Sequence, residues 1–257
     1  MKILTLNINS IRAHIESFMD ILRKNEYDTI MVQELKVETA NFPYNLLDEF
    51  GYNIKVFGQK SWNGVATFSK YSIEDTTMGL PTFPDENSRF LECVVDGRVR
   101  LINVYMPNGD CIESPKFPYK IDWMNAFTKY IEQYIDSPES VIIGGDYNVA
   151  IADNDIWKPQ NYVGSSISAP AAREIMQQWL SMGWIDTWRE FHPNDIDYTW
   201  YGYRGGDTVG KKQGLRLDYF LCNKCAAKMI TNCEIDIEPR KHTKPTDHCG
   251  LMLEIKD

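Results

Sequence analysis

An apolar, β-branched run, Val141-Ile142-Ile143, passes through Gly144-Gly145 straight into Asp146-Tyr147-Asn148. A strand that ends this way holds a carboxylate and an amide rigidly at the rim of a sheet. A second polar pair, Asp247-His248, stands between Pro245-Thr246 and the strand-like Leu251-Met252-Leu253. In the same posture it can face the first. Together the two pairs have the groups for metal-assisted attack on a phosphate ester. Two more carboxylates hold comparable places: Glu34 directly after one apolar segment and Asp218 at the head of another. A single acidic residue at a strand end is usually a turn or cap. Four on one rim cannot all stay ionised without a counter-cation. Oxygen donors with few neighbouring His or Cys select a hard cation, Mg2+ or Mn2+, over zinc. Asn7 ends the first segment and can ligate such an ion or hold a carboxylate in place. His248 is the one histidine of four that adjoins a carboxylate in this setting, whereas His14, His192 and His242 read as surface residues. A histidine facing a phosphate can stabilise the charged transition state or relay a proton.

These groups need strands to hold them. Residues 2–7, 29–33, 64–69, 90–95, 99–105, 141–146, 217–221 and 251–255 form short apolar segments that predict strands. Asp96-Gly97 reads as a hairpin turn between two of them. Three helices are expected. Ser10 can cap one that carries Ile11, Ile15, Phe18 and Leu22 on one face. A second carries Met124, Phe127, Ile131 and Ile135 and stops before Pro138. A third runs from Pro170 through Ile175, Met176, Trp179 and Leu180 to Gly183. Strands outnumber helices, and the helices lie scattered between strand groups. That pattern favours a sheet-on-sheet core covered by helices, with a doubly wound sheet as second choice.

At 257 residues the chain is long enough for one large domain or two small ones. No linker or low-complexity stretch divides it, so a single domain over 1–257 is expected. No apolar run approaches the roughly 20 residues that span a bilayer. The first residues read as a strand, without the apolar core of a signal peptide. A cytoplasmic, monomeric protein without a membrane partner is therefore expected. The six cysteines are expected to be reduced, and Cys222-Asn-Lys-Cys225 lacks the second pair that a zinc site needs. A net charge of −9 argues against broad neutralisation of phosphates. A local basic rim suffices for an enzyme that releases its product, and a bound divalent cation offsets acidic residues. Candidates for that rim are Lys36, Lys60, Lys116, Lys120, Arg173, Arg204, Lys211, Lys212 and Arg216.

The order Asn7-Ile-Asn9, Gln33-Glu34-x-Lys36, Tyr105-x-Pro107, Gly145-Asp146-x-Asn148, Tyr198-Thr199-Trp200, Arg216-Leu217-Asp218 and Thr246-Asp247-His248 resembles the exonuclease III family of abasic-site (AP) endonucleases, within the endonuclease/exonuclease/phosphatase superfamily. Gly64-Val65-Ala66, Lys116-Phe117-Pro118 and Gly183-Trp-Ile-Asp186-Thr187 extend the likeness, which runs from residue 2 to about residue 254. The resemblance implies a DNase I-like four-layer α/β sandwich, two packed mixed β-sheets flanked by helices, with the site at one rim. It implies Glu34 as the principal Mg2+ ligand, Mn2+ being a substitute, in a metal environment shared by Asn7, Asp146, Asn148, Asp247 and His248. Asp146 would activate the attacking water or protonate the leaving group, both assignments being open. Asn148 would orient that water, and Tyr105 would contact the phosphate. Asp218 and Asp247 would support the site, Asp247 by fixing the tautomer and orientation of His248. Trp200, Leu215 and Leu217 would wall a pocket for a flipped-out deoxyribose without a base. Asn108 would contact phosphate and Arg173 the DNA. Ala171-Ala172 stands where the family has an acidic residue before that arginine.

The implied reaction is hydrolysis of the phosphodiester 5′ to an abasic site in double-stranded DNA, with removal of 3′-blocking groups and of nucleotides from 3′ ends. One alternative is another branch of the superfamily, a DNase I-like nuclease or a phosphoesterase, but those branches place a histidine where Tyr105 stands. The other is an inactive nucleic-acid-binding relative, against which the matching site positions are all intact.

Overall fold

Residues buried on both faces of a strand need not alternate with polar ones. The eight predicted segments have that character, and each becomes a strand in the computed structural model, which describes residues 1–256. One six-stranded sheet contains β1 (Lys2–Asn7), β2 (Thr29–Gln33), β3 (Asn53–Phe57), β4 (Val65–Ser69), β11 (Ile230–Asp236) and β12 (Gly250–Ile255), in the order β11-β12-β1-β2-β4-β3. The other contains β5 (Ile73–Met78), β6 (Phe90–Val95), β7 (Val99–Tyr105), β8 (Ser140–Asp146), β9 (Ile185–Asp186) and β10 (Asp218–Cys222), in the order β5-β6-β7-β8-β10-β9. Both sheets are mixed, because β1–β2 and β7–β8 are parallel and their other pairs antiparallel.

Alternation along each strand separates the layers. Ile3, Met31, Leu101, Ile142, Phe220 and Leu253 meet between the sheets. Leu4, Leu6, Ile30 and Val32 face the other way and pack on Phe18 and Leu22 of α1 (Ile15–Lys24). Ile102, Val104, Val141 and Ile143 likewise pack on α3 (Lys116–Ile131) and α4 (Pro170–Met182) through Trp123, Phe127 and Trp179. Three more helices are short: α2 (Tyr44–Leu47), α5 (Thr187–Phe191) and α6 (Lys224–Ala227). The result is helix on sheet on sheet on helix, the four-layer sandwich expected.

The apolar interface between the sheets is interrupted by one amide pair. Gln33 Nε2 donates to Asn103 Oδ1 at 2.8 Å and to Thr5 Oγ1 at 2.9 Å. Asn103 Nδ2 donates in turn to the Ala66 carbonyl at 2.8 Å. Sliding one sheet past the other would leave buried amides unpaired, which costs about 1–3 kcal/mol for each group. The pair thus fixes the register of the two sheets one residue before Glu34 and two before Tyr105.

The first helix starts later than its apolar face suggests. The Ile11 N–H is drawn to the Leu35 carbonyl at 3.1 Å, so Ser10 caps only a turn, accepting the Ala13 N–H. The second helix begins at Lys116, two turns before Met124, and passes at Ile131 into a 3-10 turn, Glu132–Tyr134, that stops before Pro138. The third starts and stops as expected, at Pro170 and at Gly183 with φ 114°.

Gly145 is required for backbone reasons. Its φ is 150°, and a Cβ there would lie 1.9 Å from the Val104 carbonyl oxygen. We expect Gly145→Ala to push β8 off β7 and lower the unfolding free energy by about 3 kcal/mol or more, toward the severe end for point changes. Urea denaturation measures this, and an unchanged midpoint would contradict it.

Candidate active site

Strands β1, β2, β7 and β8 end, and β10 and β12 begin, at one rim. Asp146 is in register with Tyr105 on one side and with Asp218 on the other. Past the strand ends the backbone turns left-handed at non-glycine residues: Asn9 (φ 49°), Glu34 (φ 52°), Lys36 (φ 54°) and Asn148 (φ 51°). Such residues cost on the order of 1–3 kcal/mol each and cluster where function needs them. The rim side chains come from every second residue, Asn7 and Asn9, Glu34 and Lys36, Asp146 and Asn148, while Ile8, Leu35 and Tyr147 between them are buried in the core. Backbone bonds hold the turns, Ser10 N–H to the Glu34 carbonyl at 2.8 Å and Lys36 N–H to the Asn63 carbonyl at 2.9 Å.

A chain of hydrogen bonds then crosses from one sheet to the other. Lys36 Nζ pairs with Glu34 Oε2 at 2.9 Å. Asn7 Nδ2 donates to Glu34 Oε1 at 2.8 Å and to Asp146 Oδ2 at 2.9 Å. The Asn148 N–H donates to Asp146 Oδ1 at 2.9 Å. The Asn148 side chain is itself engaged, accepting from Asn108 Nδ2 and donating to the Met106 carbonyl. His248 Nε2 faces Asp146 Oδ2 at 3.8 Å.

One expected contact goes elsewhere. Asp218 Oδ2, not Asp247, accepts from His248 Nδ1, at 2.9 Å. Asp247 accepts instead from Trp200 Nε1 at 3.0 Å and from Asn9 Nδ2 at 2.8 Å. Neighbours in extended backbone point to opposite sides, so the residue beside His248 in sequence cannot easily reach its ring. Asp218, at the head of β10, can.

Burial and charge set the protonation states. Burial raises Asp146; His248 lowers it again in part, Asp218 and Glu34 add to the rise, and the carboxyl sits at about 7. Burial pulls His248 down, but Asp218, by charge and hydrogen bond, outweighs it with help from Asp146 and Asp247 and holds the imidazole at about 10. Burial, then the charges of Glu34 and Asp146, push the Tyr105 hydroxyl well above its usual value. Near neutral pH the site therefore has a protonated histidine and a protonated tyrosine facing a carboxylate close to its midpoint.

The donor set can be tested against a metal. Ligating atoms of Asp146, Asp218 and His248 lie within 4.8 Å of one another. Asp218 Oδ1 is buried with no hydrogen-bond partner among the described residues, an acceptor that a cation or its water would satisfy. Crowded carboxylates with a raised Asp146 fit a hard divalent cation. An imidazolium has no lone pair to give, so His248 in its protonated state is a donor and no ligand. Asp247 lies outside this group, and so does Glu34, whose two oxygens are bonded to Asn7 and Lys36.

The remaining expected residues divide. Trp200 keeps a partly exposed face, while Leu215 (1% exposed) and Leu217 (3%) pack behind it with Ile156 and Ala150. Arg173 is held by the Ala150 carbonyl and by Asp153, at 2.9 Å each, so the acidic partner missing beside it in sequence comes from another loop. Lys120 and Arg216 are not rim residues. Lys120 is fully buried, donating to the carbonyls of Asn108, Asn148 and Ser166, and burial lowers it to about 7. Arg216 is buried between Asp155 (2.8 Å) and Asp186 (2.7 Å). Both arrangements stiffen the loops that flank the site. Lys60, Lys116, Arg204, Lys211 and Lys212 are exposed and Lys36 partly so. Asn9, to which sequence reasoning assigned no role, donates to Asp247 and accepts from Lys36. Arg89, whose guanidinium lies 5.1 Å from the Tyr105 ring centre, is another such residue. The repeated Asn-x-Asn at the end of β1 was the available signal for Asn9.

The model of the endonuclease/exonuclease/phosphatase family matches residues 4–248. The chain belongs to that family. It is 30% identical to exodeoxyribonuclease III of Haemophilus influenzae over the whole of both chains. Among solved structures it is similar to an AP endonuclease from Archaeoglobus fulgidus, with 32% identity and a TM-score of 0.95, all of both chains being covered. It is also similar to the 3′ phosphatase NExo from Neisseria bound to a product DNA hairpin, with 34% identity and a TM-score of 0.94, again over all of both chains. Within the family it is a hydrolytic nuclease of the exodeoxyribonuclease III type. The rim described above is where its β-strands deliver Asn7, Glu34, Tyr105, Asp146, Asp218 and His248.

The Asp218–His248 pair has a measurable consequence. The imidazole is raised from 6.5 to about 10, so its contribution to stability is complete below about 6.5 and is lost as pH rises through about 10. We expect the metal-free protein to lose stability between about pH 7.5 and about 10.5, and Asp218→Asn to lose distinctly less over the same range. Denaturation at several pH values with an NMR titration of His248 checks this. A His248 midpoint that stays put in Asp218→Asn would contradict it.

Proposed function

We propose that the chain is a Mg2+-dependent DNA-repair nuclease that hydrolyses the phosphodiester 5′ to an abasic site in duplex DNA. It would leave a 3′-hydroxyl and a 5′-deoxyribose phosphate. The same site would clean 3′ ends and remove nucleotides from them, with residues 1–257 acting as one domain. The observation that carries this reading is the Trp200–Asp247 bond. It fixes an aromatic face next to His248, so a sugar without a base can lie beside the carboxylates that work on its phosphate. The relatives' names and the DNA hairpin on the Neisseria structure support the substrate class. No helix among the described residues is long and apolar enough to cross a membrane.

The chain's own groups divide the work. Glu34, Asp146 and Asp218, with Asn7 near, would hold the cation. When bound, a divalent cation neutralises charge on the phosphate oxygens. His248 donates through Nε2, and Tyr105 through its hydroxyl, to oxygens that gain charge in the transition state. Asp146, ionised above about 7, takes the proton of the attacking water as the bond to the 3′ oxygen breaks, and that oxygen takes up a proton from solvent. Asn148 holds Asp146 for that task through its N–H, and Asn108 braces Asn148. The exposed cations of the rim, with Arg173, meet the phosphates beyond the cut.

A duplex with a single tetrahydrofuran abasic analogue should be nicked at the analogue with Mg2+ and left whole with chelator. Failure to cut with any divalent metal would overturn the reading. Asp146→Asn should lower kcat by about 10²-fold or more while DNA binding persists, as for loss of a general base. A bridging sulfur at the 3′ position leaves without acid help. It should not rescue Asp146→Asn, and rescue would make Asp146 the acid for the leaving group instead.

A further inference from the structure

We infer that the cleft on the Glu34 side of the site takes an unpaired nucleotide, the one that carries the departing 3′ oxygen, with Trp62 as the platform on which its base stacks. The inference rests on the proposed function for the polarity of the strand. The abasic sugar, on the 3′ side of the phosphate, belongs at Trp200, so the 5′ neighbour extends past Glu34 and Tyr105. There a cleft of about 490 Å³ opens, lined by Glu34, Tyr105, Arg89, Tyr119, Lys116 and Trp62. That volume lies within the roughly 300–1,000 Å³ of ordinary ligand sites.

Trp62 stands out in that wall. Its side chain is 74% exposed, where a large apolar surface gains nothing from folding. The backbone is strained before it at Ser61, with φ 80°, and Trp62 N–H bonds back to the Lys60 carbonyl at 3.2 Å. Gly64 supplies the φ of 108° that lets the turn close. The turn is anchored directly after the ring. Asn63 is 3% exposed, donates to Gln59 and Asn87, and accepts the Lys36 N–H on its carbonyl. The Gly64 N–H donates to the Ser88 carbonyl, and a Cβ on Gly64 would meet Leu35 at 2.9 Å. The indole is thus presented from a fixed turn, next to exposed Lys60 and across from Lys116.

An aromatic face with cations along a strand path is how proteins grip single-stranded nucleic acid without reading sequence. A base inside a duplex already has neighbours on both faces and offers none to Trp62. An unpaired base does. The acidity of the chain points the same way. With a net charge of −9 only a local basic rim is left for phosphates, so a local, salt-insensitive stack adds grip. The cleft therefore favours frayed or mismatched 3′ ends over perfectly paired ones.

The test uses three labelled duplexes: a paired recessed 3′ end, the same end with its last two nucleotides mismatched, and an internal abasic analogue. Trp62→Ala should cut kcat/KM on the mismatched end about 10-fold, mainly through KM, within the range that loss of one stacked base produces. Trp62→Phe should restore most of it, and the other two substrates should change far less. In a separate binding assay with chelator present, 2-aminopurine replaces the nucleotide 5′ to the scissile phosphate. Its fluorescence should be quenched by the wild type and by Trp62→Phe but not by Trp62→Ala. Equal loss on all three substrates, no loss on the mismatched end, or quenching that survives in Trp62→Ala would overturn the proposal. Quenching without any cleavage by the wild type would overturn the nuclease reading and leave the stacking in place.

Discussion

Asp146, Asp218 and Glu34 bring negative charge to a rim that is mostly shut off from water, and the surrounding structure answers that charge. His248 supplies a cation from one side and Lys36 from the other. Asn7 supplies two hydrogen bonds in the middle. Two cations face three carboxylates, and burial first, with Asp218 and Glu34 behind it, still raises Asp146 to about 7. The deficit of positive charge is what a divalent ion would meet, and a phosphate brings more negative charge that the same ion and the imidazolium must answer. The structure of the rim, and the metal binding and catalysis proposed for it, would thus share one electrostatic cause.

Holding the cluster together is a matter of sheet register. Glu34 and Asn7 belong to one sheet, Asp146 and Asp218 to the other. The Gln33–Asn103 pair locks those sheets against sliding just below the rim, and Gly145 lets β8 come close enough to β7 to put Asp146 beside Tyr105. The left-handed turns at Glu34 and Asn148 then aim the side chains. Flanking loops are stiffened from beneath by Lys120 and Arg216, two cations used as internal braces in a strongly acidic protein.

The legible part of the sequence was the part buried on two faces. All eight predicted strands are present, and the four that went unseen, β3, β5, β9 and β11, are the four edges of the two sheets. Edge strands expose one side and carry residues such as Asn53, Lys55, Glu74, Asp75, Asn232 and Glu234, which erase the apolar run. The site residues were legible for a related reason: an apolar segment that stops at a carboxylate marks a rim. Which carboxylate holds His248 was not, because Asp247 is its neighbour in sequence and Asp218 only in space. The burial of Lys120 and Arg216 was equally hidden, since composition cannot distinguish a solvated cation from one walled in by carbonyls or carboxylates.

The rim would stay short of positive charge until a divalent ion binds, with Asp146 carrying the proton that the ion displaces. Calorimetric titration of Mn2+ or Mg2+ into the protein near pH 6.5, in buffers of different ionisation enthalpy, measures this directly. We expect binding to release a sizeable fraction of a proton, with the release lost in Asp146→Asn. Binding with no proton release, or release that is unchanged in Asp146→Asn, would contradict it.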